Sequence, residues 1–349
     1  MLRLGIVGAS GYGGGELLRL LGRHPKARVS VAVSGTYAGR PISEAWQGQH
    51  KQSDLKFVAP DDGTQLRECD VVFLAMDNGK AMTQAPALLE EGIKIVDLSA
   101  DFRLKDLSLY PEWYKLTHTA PEWSRKAIYG LPELFRKEIM KAQLVGNPGC
   151  YPTAALLGLS PLLKHDLILP QTIIVDGASG VSGAGRSKFS LDFHYPELNE
   201  SFSAYKIAGS HRHTPEIEQT ITTLTGKSAK ISFTPHLVPM SRGILTTCYA
   251  NLSKEVSTQE LLTLFQNEYS WEPFVVVCKE GSLPATKHTL GSNRCHIGLE
   301  VDKRTGRVVV IAAIDNLVKG MAGQAIQNMN LMCGFEETAG LDDIGGLWP

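Results

Sequence analysis

The chain is predicted to be an α/β protein in which a Rossmann-type doubly wound parallel sheet is joined to an α+β domain with a mixed sheet. Three observations carry this expectation. The first third alternates short apolar runs with helical segments, the second half strings strand-like runs together with few helices between them, and a glycine-rich turn joins the first strand to the first helix. Alternation of strand and helix marks parallel βαβ units, whereas strands in succession mark mixed or antiparallel pairing.

Residues 2–8, "LRLGIVG", form a short apolar run ending in glycine, and "ELLRLLGRH" follows with leucines at helical spacing. Next come "ARVSVAVSG", "DVVFLAM" at 70–76 and "IKIVDLSA" at 93–100, each a strand. The second half reads "QTIIVDGASG", "KISFTPHLVP", "ILTTCYANL", "EPFVVVCKEG", "CHIGLEVDK" and "RVVVIAAIDNL", with turns such as "DKRTGR". The final "NLVKGMAGQAIQNMNLMCG" repeats small and apolar residues at helical intervals and stops at glycine, as a helix does. A length of 349 residues suits two domains. Composition does not mark their boundary, which the pattern places near residue 150.

Composition narrows the function. With 35 basic and 36 acidic side chains, and no Lys/Arg run longer than two, the chain lacks the basic footprint of a nucleic-acid binder. A small molecule is the expected partner. The N-terminus has glycines every few residues and an acid at Glu16, unlike a signal peptide, and no uninterrupted apolar stretch of ~18 residues would cross a bilayer. A cytoplasmic protein is expected. Cysteines 69, 150, 248, 278, 295 and 333 show no CxxC pairing, which argues against a zinc site and a disulfide framework.

In "GASGYGG", residues 8–14, glycines fall at 8, 11 and 14, with Gly13 and Gly15 beside them. The spacing departs from GxGxxG, but a strand leads in and a helix leads out, and Gly8, Ser10, Gly11, Tyr12, Gly13 and Gly14 become candidates for a dinucleotide pyrophosphate. The second strand ends "VAVSGTYAGR", with Ser34 and Thr36 where an NAD enzyme carries an acid, and Arg40 close behind. Hydroxyls and a cation favour the 2′-phosphate of NADP.

"NPGCYPTAALLGL" places Cys150 at or beside a helix start: Pro-Gly forces a turn, and Pro152 is tolerated only in the first helical turn. Partial positive charge there favours a thiolate, and backbone N–H groups can hold a developing oxyanion. "HRHTPEIEQ" supplies His211, His213 and Glu216 as acid/base candidates around Pro215. The His-x-His pair has no evident third ligand, so no metal is expected.

The segments "GASGYGGGEL", "DLSADFR", "YGLPEL", "VGNPGCYPTAALLGLSP", "SGVSGAGR", "HRHTPEIEQ", "VPMSRGIL" and "DNLVKGMAGQAIQNMN" resemble, in order and spacing, the N-acetyl-γ-glutamyl-phosphate reductases of arginine biosynthesis. The glycine turn alone would not separate them from aspartate-semialdehyde dehydrogenases, which share the fold. The resemblance implies NADPH-dependent reduction of N-acetyl-γ-glutamyl phosphate through a Cys150 thioester, with His211 or His213 managing the proton, oriented by Glu216 and Tyr205. It implies substrate contacts from Arg103, Ser182, Arg186, Tyr205 and Arg212, and cofactor contacts from Ser99, Asn316, Lys319 and Gly320. It also implies a homo-oligomer, a nucleotide domain of residues 1–149 and 315–349, and a catalytic domain of 150–314. A rival reading, reduction of a carrier-bound aminoadipyl phosphate in lysine biosynthesis, calls for a basic surface that the balanced charge does not suggest. A non-catalytic NADP-binding protein would have no use for Cys150, His211, His213 and Glu216.

Overall fold

The structure, a computed structural model, describes residues 1–48, 54–60, 63–187 and 190–341. These divide into two compact units, the first comprising residues 1–148, 185–187 and 321–341, and the second residues 149–184 and 190–320.

The first unit is built on β1 (Leu2–Val7), β2 (Ala27–Val33), β3 (Phe57–Val58), β4 (Val71–Leu74), β5 (Lys94–Asp97), β6 (Ile128–Tyr129) and β7 (Leu144–Gly146). They pair wholly in parallel in the order β3-β2-β1-β4-β5-β7-β6. Val71, Val72, Phe73 and Leu74 are all fully buried, as a parallel strand covered on both faces requires. The doubly wound sheet expected from the strand–helix alternation is therefore present. β3 and β6 are two residues each, too short to leave a periodic trace, and sequence patterning does not find them.

The second unit holds β8 (Ile174–Ser179), β9 (Ser203–Ala204), β10 (Ser232–Leu237), β11 (Ile244–Asn251), β12 (Val275–Val277), β13 (Cys295–Asp302) and β14 (Arg307–Ile314). The order is β12-β13-β14-β11-β8-β10-β9, with β8–β10 and β12–β13 parallel and the other pairs antiparallel: the expected mixed sheet. β11 alternates buried and half-buried residues along its length, so the sheet has one covered face. The helix Cys150–Lys164 lies on that face over β11 and β14 and packs against the helix Thr214–Thr225.

Two details differ from the sequence reading. The chain crosses between units after Pro148 and returns at Met321, so residues 315–320, expected with the nucleotide domain, pack with the second unit, while 185–187 join the first. The reason is that Asp315–Gly320 continues directly from β14 and is tied there by hydrogen bonds described below. Of the expected terminal segment, residues 342–349 lie outside the described residues. The final helix also begins differently, as a π-helical turn over Val318–Ala322 before regular α-helix from Gly323 to Met332. Gly320 N–H donates to Asp315 O at 2.9 Å, the i→i+5 bond of that wider turn.

Candidate active site

β7 ends at Gly146, and Asn147-Pro148-Gly149 turns the chain so that Cys150 is the first residue of a 15-residue helix. Gly149 is its N-cap, extended at φ −68°, ψ 154°, and the Gly149 carbonyl accepts from both the N–H and the hydroxyl of Thr153 at 3.0 Å. Cys150 is partly exposed. The other thiols are poor nucleophiles by comparison. Burial pushes Cys69 up to about 11 and Cys248 up to about 12 and raises Cys278 and Cys333, while Cys295 is fully enclosed. Cys150 has the only helix start among them, where thiolate is favoured.

The histidine pair is brought to the same place by the helix Thr214–Thr225, whose N-cap is His213. A β-carbon built on Gly149 would lie 2.5 Å from His213 Nε2, so the imidazole occupies space that only a glycine leaves open, one residue from Cys150. His211 is placed differently. Its Nδ1 accepts the His213 backbone N–H at 3.1 Å, which leaves the ring proton on Nε2. Its ring stands edge-on to Tyr151, Tyr205 and Phe233 at centroid distances of 5.8, 5.6 and 5.2 Å. Burial, aided by the charges of Lys206 and Arg212, pushes its pKa down to about 3. His211 is thus a neutral, packed imidazole at ordinary pH.

Glu216, expected to orient a histidine, is fully buried and accepts the Gly149 N–H through Oε1 at 2.7 Å. It ties the first turn of one helix to the cap of the other. Tyr205 meets the Tyr151 hydroxyl at 3.3 Å, and burial pushes its own pKa up to about 12, with Cys150 adding to the rise. Cys150, Tyr151, Tyr205, His211, Arg212, His213 and Glu216 therefore form one cluster, with Arg212 half-buried beside Tyr205 and His211.

The remaining expected substrate residues belong to both units. Ser182 accepts from Asn316 Nδ2 at 2.9 Å in the second unit. Arg103, in the first unit, is 8% exposed and holds the backbone carbonyls of Asn147 at 2.7 Å and Leu98 at 3.1 Å, so its guanidinium braces the turn ahead of Cys150. Arg186 also belongs to the first unit, with Nη1 donating to Ser10 O at 3.0 Å. Its sequence neighbours lie in the second unit.

The glycine turn has the shape of a phosphate cradle. Gly8 sits at φ +80°, and a β-carbon there would be 2.0 Å from Ala75 O; one on Gly14 would be 2.4 Å from Gly8 O. Gly11 caps the helix Tyr12–Leu21, whose first turn has no side-chain cap and no acid, so its N–H groups suit an anion. Met321 packs on Gly13, where a β-carbon would be 2.4 Å from Met321 Cε. Ser10 and Ser34 hydroxyls meet at 2.8 Å at the end of β2, and Tyr12 and Thr36 are exposed nearby in the chain. Arg40 pairs with Glu44 at 3.6 Å, and Ser99 donates to Asp97 Oδ2 at 2.9 Å.

The expected cofactor residues of the last segment lie in the second unit. Asn316 accepts the Gly243 N–H at 2.7 Å, Lys319 is fully buried with its ammonium 5.7 Å from the Phe274 ring, and a β-carbon on Gly320 would be 2.8 Å from Cys150 Cβ. Asp315, buried to 0%, organises this turn: it accepts N–H bonds from Gly291 at 2.7 Å, Leu317 at 2.8 Å and Val318 at 3.2 Å, and pairs with Arg242 at 3.0 Å.

Comparison with known proteins decides what this arrangement belongs to. The family model "Semialdehyde dehydrogenase, NAD binding domain" matches residues 3–142, and "Semialdehyde dehydrogenase, dimerisation domain" matches residues 150–316. Over 350 residues the chain is 52% identical to the N-acetyl-gamma-glutamyl-phosphate reductase of Symbiobacterium thermophilum, covering 100% of this chain and 99% of that protein. The protein of the same name from Geobacter sp. (strain M21) is 51% identical over 342 residues, 98% of each chain. The chain belongs to the N-acetyl-gamma-glutamyl-phosphate reductase family. In fold, this member of the N-acetyl-gamma-glutamyl-phosphate reductase family is similar to aspartate semialdehyde dehydrogenase II from Vibrio cholerae, with TM-score 0.74 at 14% identity over 96% of this chain and 99% of that one. No described helix is long and apolar enough to cross a membrane.

Sequence reasoning overlooked Gly149, Tyr151 and Asp315. Gly149 stands beside the cysteine in "PGC", but nothing local says that a histidine 64 positions later needs its missing side chain. Asp315 lies next to Asn316 in "IDNL" and gives no local sign that loops from residues 242 and 291 converge on it.

Proposed function

We propose that this chain reduces N-acetyl-γ-glutamyl phosphate to N-acetylglutamate 5-semialdehyde and phosphate with NADPH, through a thioester on Cys150. The observation that carries the mechanism is the packing of His213 Nε2 against Gly149, which brings an imidazole beside the partly exposed cysteine at a helix start.

In the first step Cys150 Sγ, its proton passed to His213, bonds to the acyl carbon. The carbon–oxygen bond to phosphate breaks and phosphate leaves with the electron pair. N–H groups of the first helical turn face the oxyanion that develops in this step. NADPH, when bound, would supply the hydride that the thioester carbon takes up. His213 then protonates the resulting oxygen, and takes that proton back as the carbon–sulfur bond breaks to release the aldehyde and regenerate the thiolate. His211 is not the proton carrier in this scheme, because a group held near 3 stays neutral at working pH; it positions His213 through the 3.1 Å bond to its backbone. Glu216 and Tyr205 hold the cluster, and Arg212 is the guanidinium best placed in it for a substrate carboxylate or phosphate.

The cradle of Gly8, Ser10, Gly11, Tyr12, Gly13 and Gly14 fits a dinucleotide pyrophosphate, and the Ser34 hydroxyl where an acid would otherwise stand fits NADP. A second copy of the chain is inferred to cover the half-buried sheet face that carries Leu245, Tyr249, Val309 and Ile311. A cytoplasmic location agrees with six free thiols.

The deciding experiment is phosphate-dependent reduction of NADP by N-acetylglutamate semialdehyde. Wild-type protein is expected to turn over and Cys150→Ser to be inactive. Absence of wild-type turnover, or equal rates in both, would refute the assignment. Sedimentation of wild type against Tyr249→Asp tests the inferred interface: a monomeric wild type rejects it.

A further inference from the structure

The first unit holds a cation that the mechanism does not use. β2 runs into Ser34, whose hydroxyl is 2.8 Å from Ser10 Oγ and accepts the Tyr37 N–H at 3.2 Å. Arg186 reaches this point from a distant part of the sequence. Its Nη1 donates to Ser10 O at 3.0 Å, and its guanidinium carbon lies 4.4 Å from the Trp46 ring centroid and 5.8 Å from that of Tyr37. Trp46 is fixed in turn: Nε1–H donates to Ala9 O at 3.0 Å, and the indole fills space where a β-carbon on Gly15 would lie 2.4 Å from Cζ2. A guanidinium stacked on an aromatic face and pinned by one N–H has little freedom left to lose on binding a ligand.

Among the described residues no carboxylate pairs with Arg186. A half-buried guanidinium that meets no described carboxylate has N–H groups to offer an anionic ligand. Its neighbours are Tyr37, just past the end of the second strand, and Ser10, whose hydroxyl meets Ser34 at the end of that strand, where a Rossmann unit reads the adenosine ribose. Arg40, the cation that sequence spacing suggests for this task, is already paired with Glu44, and its side chain is 60% exposed.

We propose that Arg186 is the specificity-determining residue for the cofactor, its guanidinium binding the 2′-phosphate of NADP beside Ser10 and Ser34. This rests on the NADPH-dependent reading above and assigns to the cofactor a residue that the sequence resemblance placed on the substrate.

The test is calorimetric binding of NADP and NAD, and of the fragments 2′,5′-ADP and 5′-AMP, to wild type, Arg186→Ala, Arg186→Lys and Arg40→Ala. Loss of a charge-assisted contact predicts that Arg186→Ala weakens NADP and 2′,5′-ADP by about tenfold to a hundredfold. NAD and 5′-AMP are expected to bind as to wild type, which also shows that the variant is folded. Arg186→Lys should recover part of the loss, and Arg40→Ala should change little. Equal weakening of phosphorylated and unphosphorylated ligands would make Arg186 a brace for the glycine turn and overturn the proposal. So would unchanged NADP binding, or a loss of discrimination in Arg40→Ala alone. A wild type that binds no NADP overturns the functional reading as well. A wild type active through Cys150 whose Arg186→Ala form binds NADP normally overturns only the role of Arg186.

Discussion

The imidazole of His213 stands where the side chain of residue 149 would be if that residue were not glycine: a β-carbon there would meet Nε2 at 2.5 Å, Cδ2 at 2.8 Å and Cε1 at 2.8 Å. The glycine before the cysteine is therefore a steric requirement of the histidine as well as a turn residue. Adding one methyl group tests it. Gly149→Ala is expected to lower kcat by about a hundredfold, as a displacement of ~1 Å in a catalytic group does, with KM little changed. Steady-state kinetics on the variant check this, and an unaltered kcat would remove His213 from the proposed chemistry.

The two histidines are expected to separate in their pH profiles. His213→Asn should lose about 10²–10⁴-fold in kcat and with it the acidic limb of the rate profile. His211→Ala should lower kcat by misplacing its neighbour's backbone, yet retain that limb, because a group near 3 does not titrate in the working range. If the limb vanishes in His211→Ala and survives in His213→Asn, the roles are reversed.

His211 also sets an acid limit on the second unit. Its folded pKa, about 3, lies below the ordinary imidazole value of 6.5, so the unfolded chain binds the extra proton first as pH falls. Stability from this group is fully present above pH 6.5 and is lost progressively between 6.5 and 3. Thermal denaturation across that window should show a shallower loss in His211→Asn than in wild type. Parallel curves would show that the imidazole is not buried neutral.

Asp315 gathers backbone donors from residues 291, 317 and 318 together with Arg242. Removing the carboxylate strips three buried backbone N–H groups of their acceptor, so Asp315→Ala is expected to cost about 3–5 kcal/mol in denaturant unfolding. Since Gly320 hangs from this turn against Cys150, selective alkylation of Cys150 should also slow or lose its selectivity. Retained stability and retained alkylation would together reject the role given to Asp315.

Much of this protein could be read from its sequence. The strand–helix alternation of the first third, the succession of strands in the second half, the Gly8–Gly14 turn and the helix start at Cys150 are local patterns, encoded by residues near each other along the chain. The cysteine's position follows from Pro148, Gly149 and Pro152 alone, because backbone dihedrals and missing N–H groups act within one turn.

Tertiary structure decided which residues share a site. It alone separates His211 from His213, since the choice depends on which ring meets Gly149 and which accepts a backbone N–H among aromatic rings. It sets the Glu216 carboxylate on the cap of the cysteine helix, Arg103 on a backbone turn and Arg186 beside the glycine turn. Arginines in a sequence differ only by their neighbours along the chain, whereas the charge each one can offer depends on partners brought in from tens or hundreds of residues away. Burial and pairing, which fix a side chain's charge and reach, are properties of the packed fold.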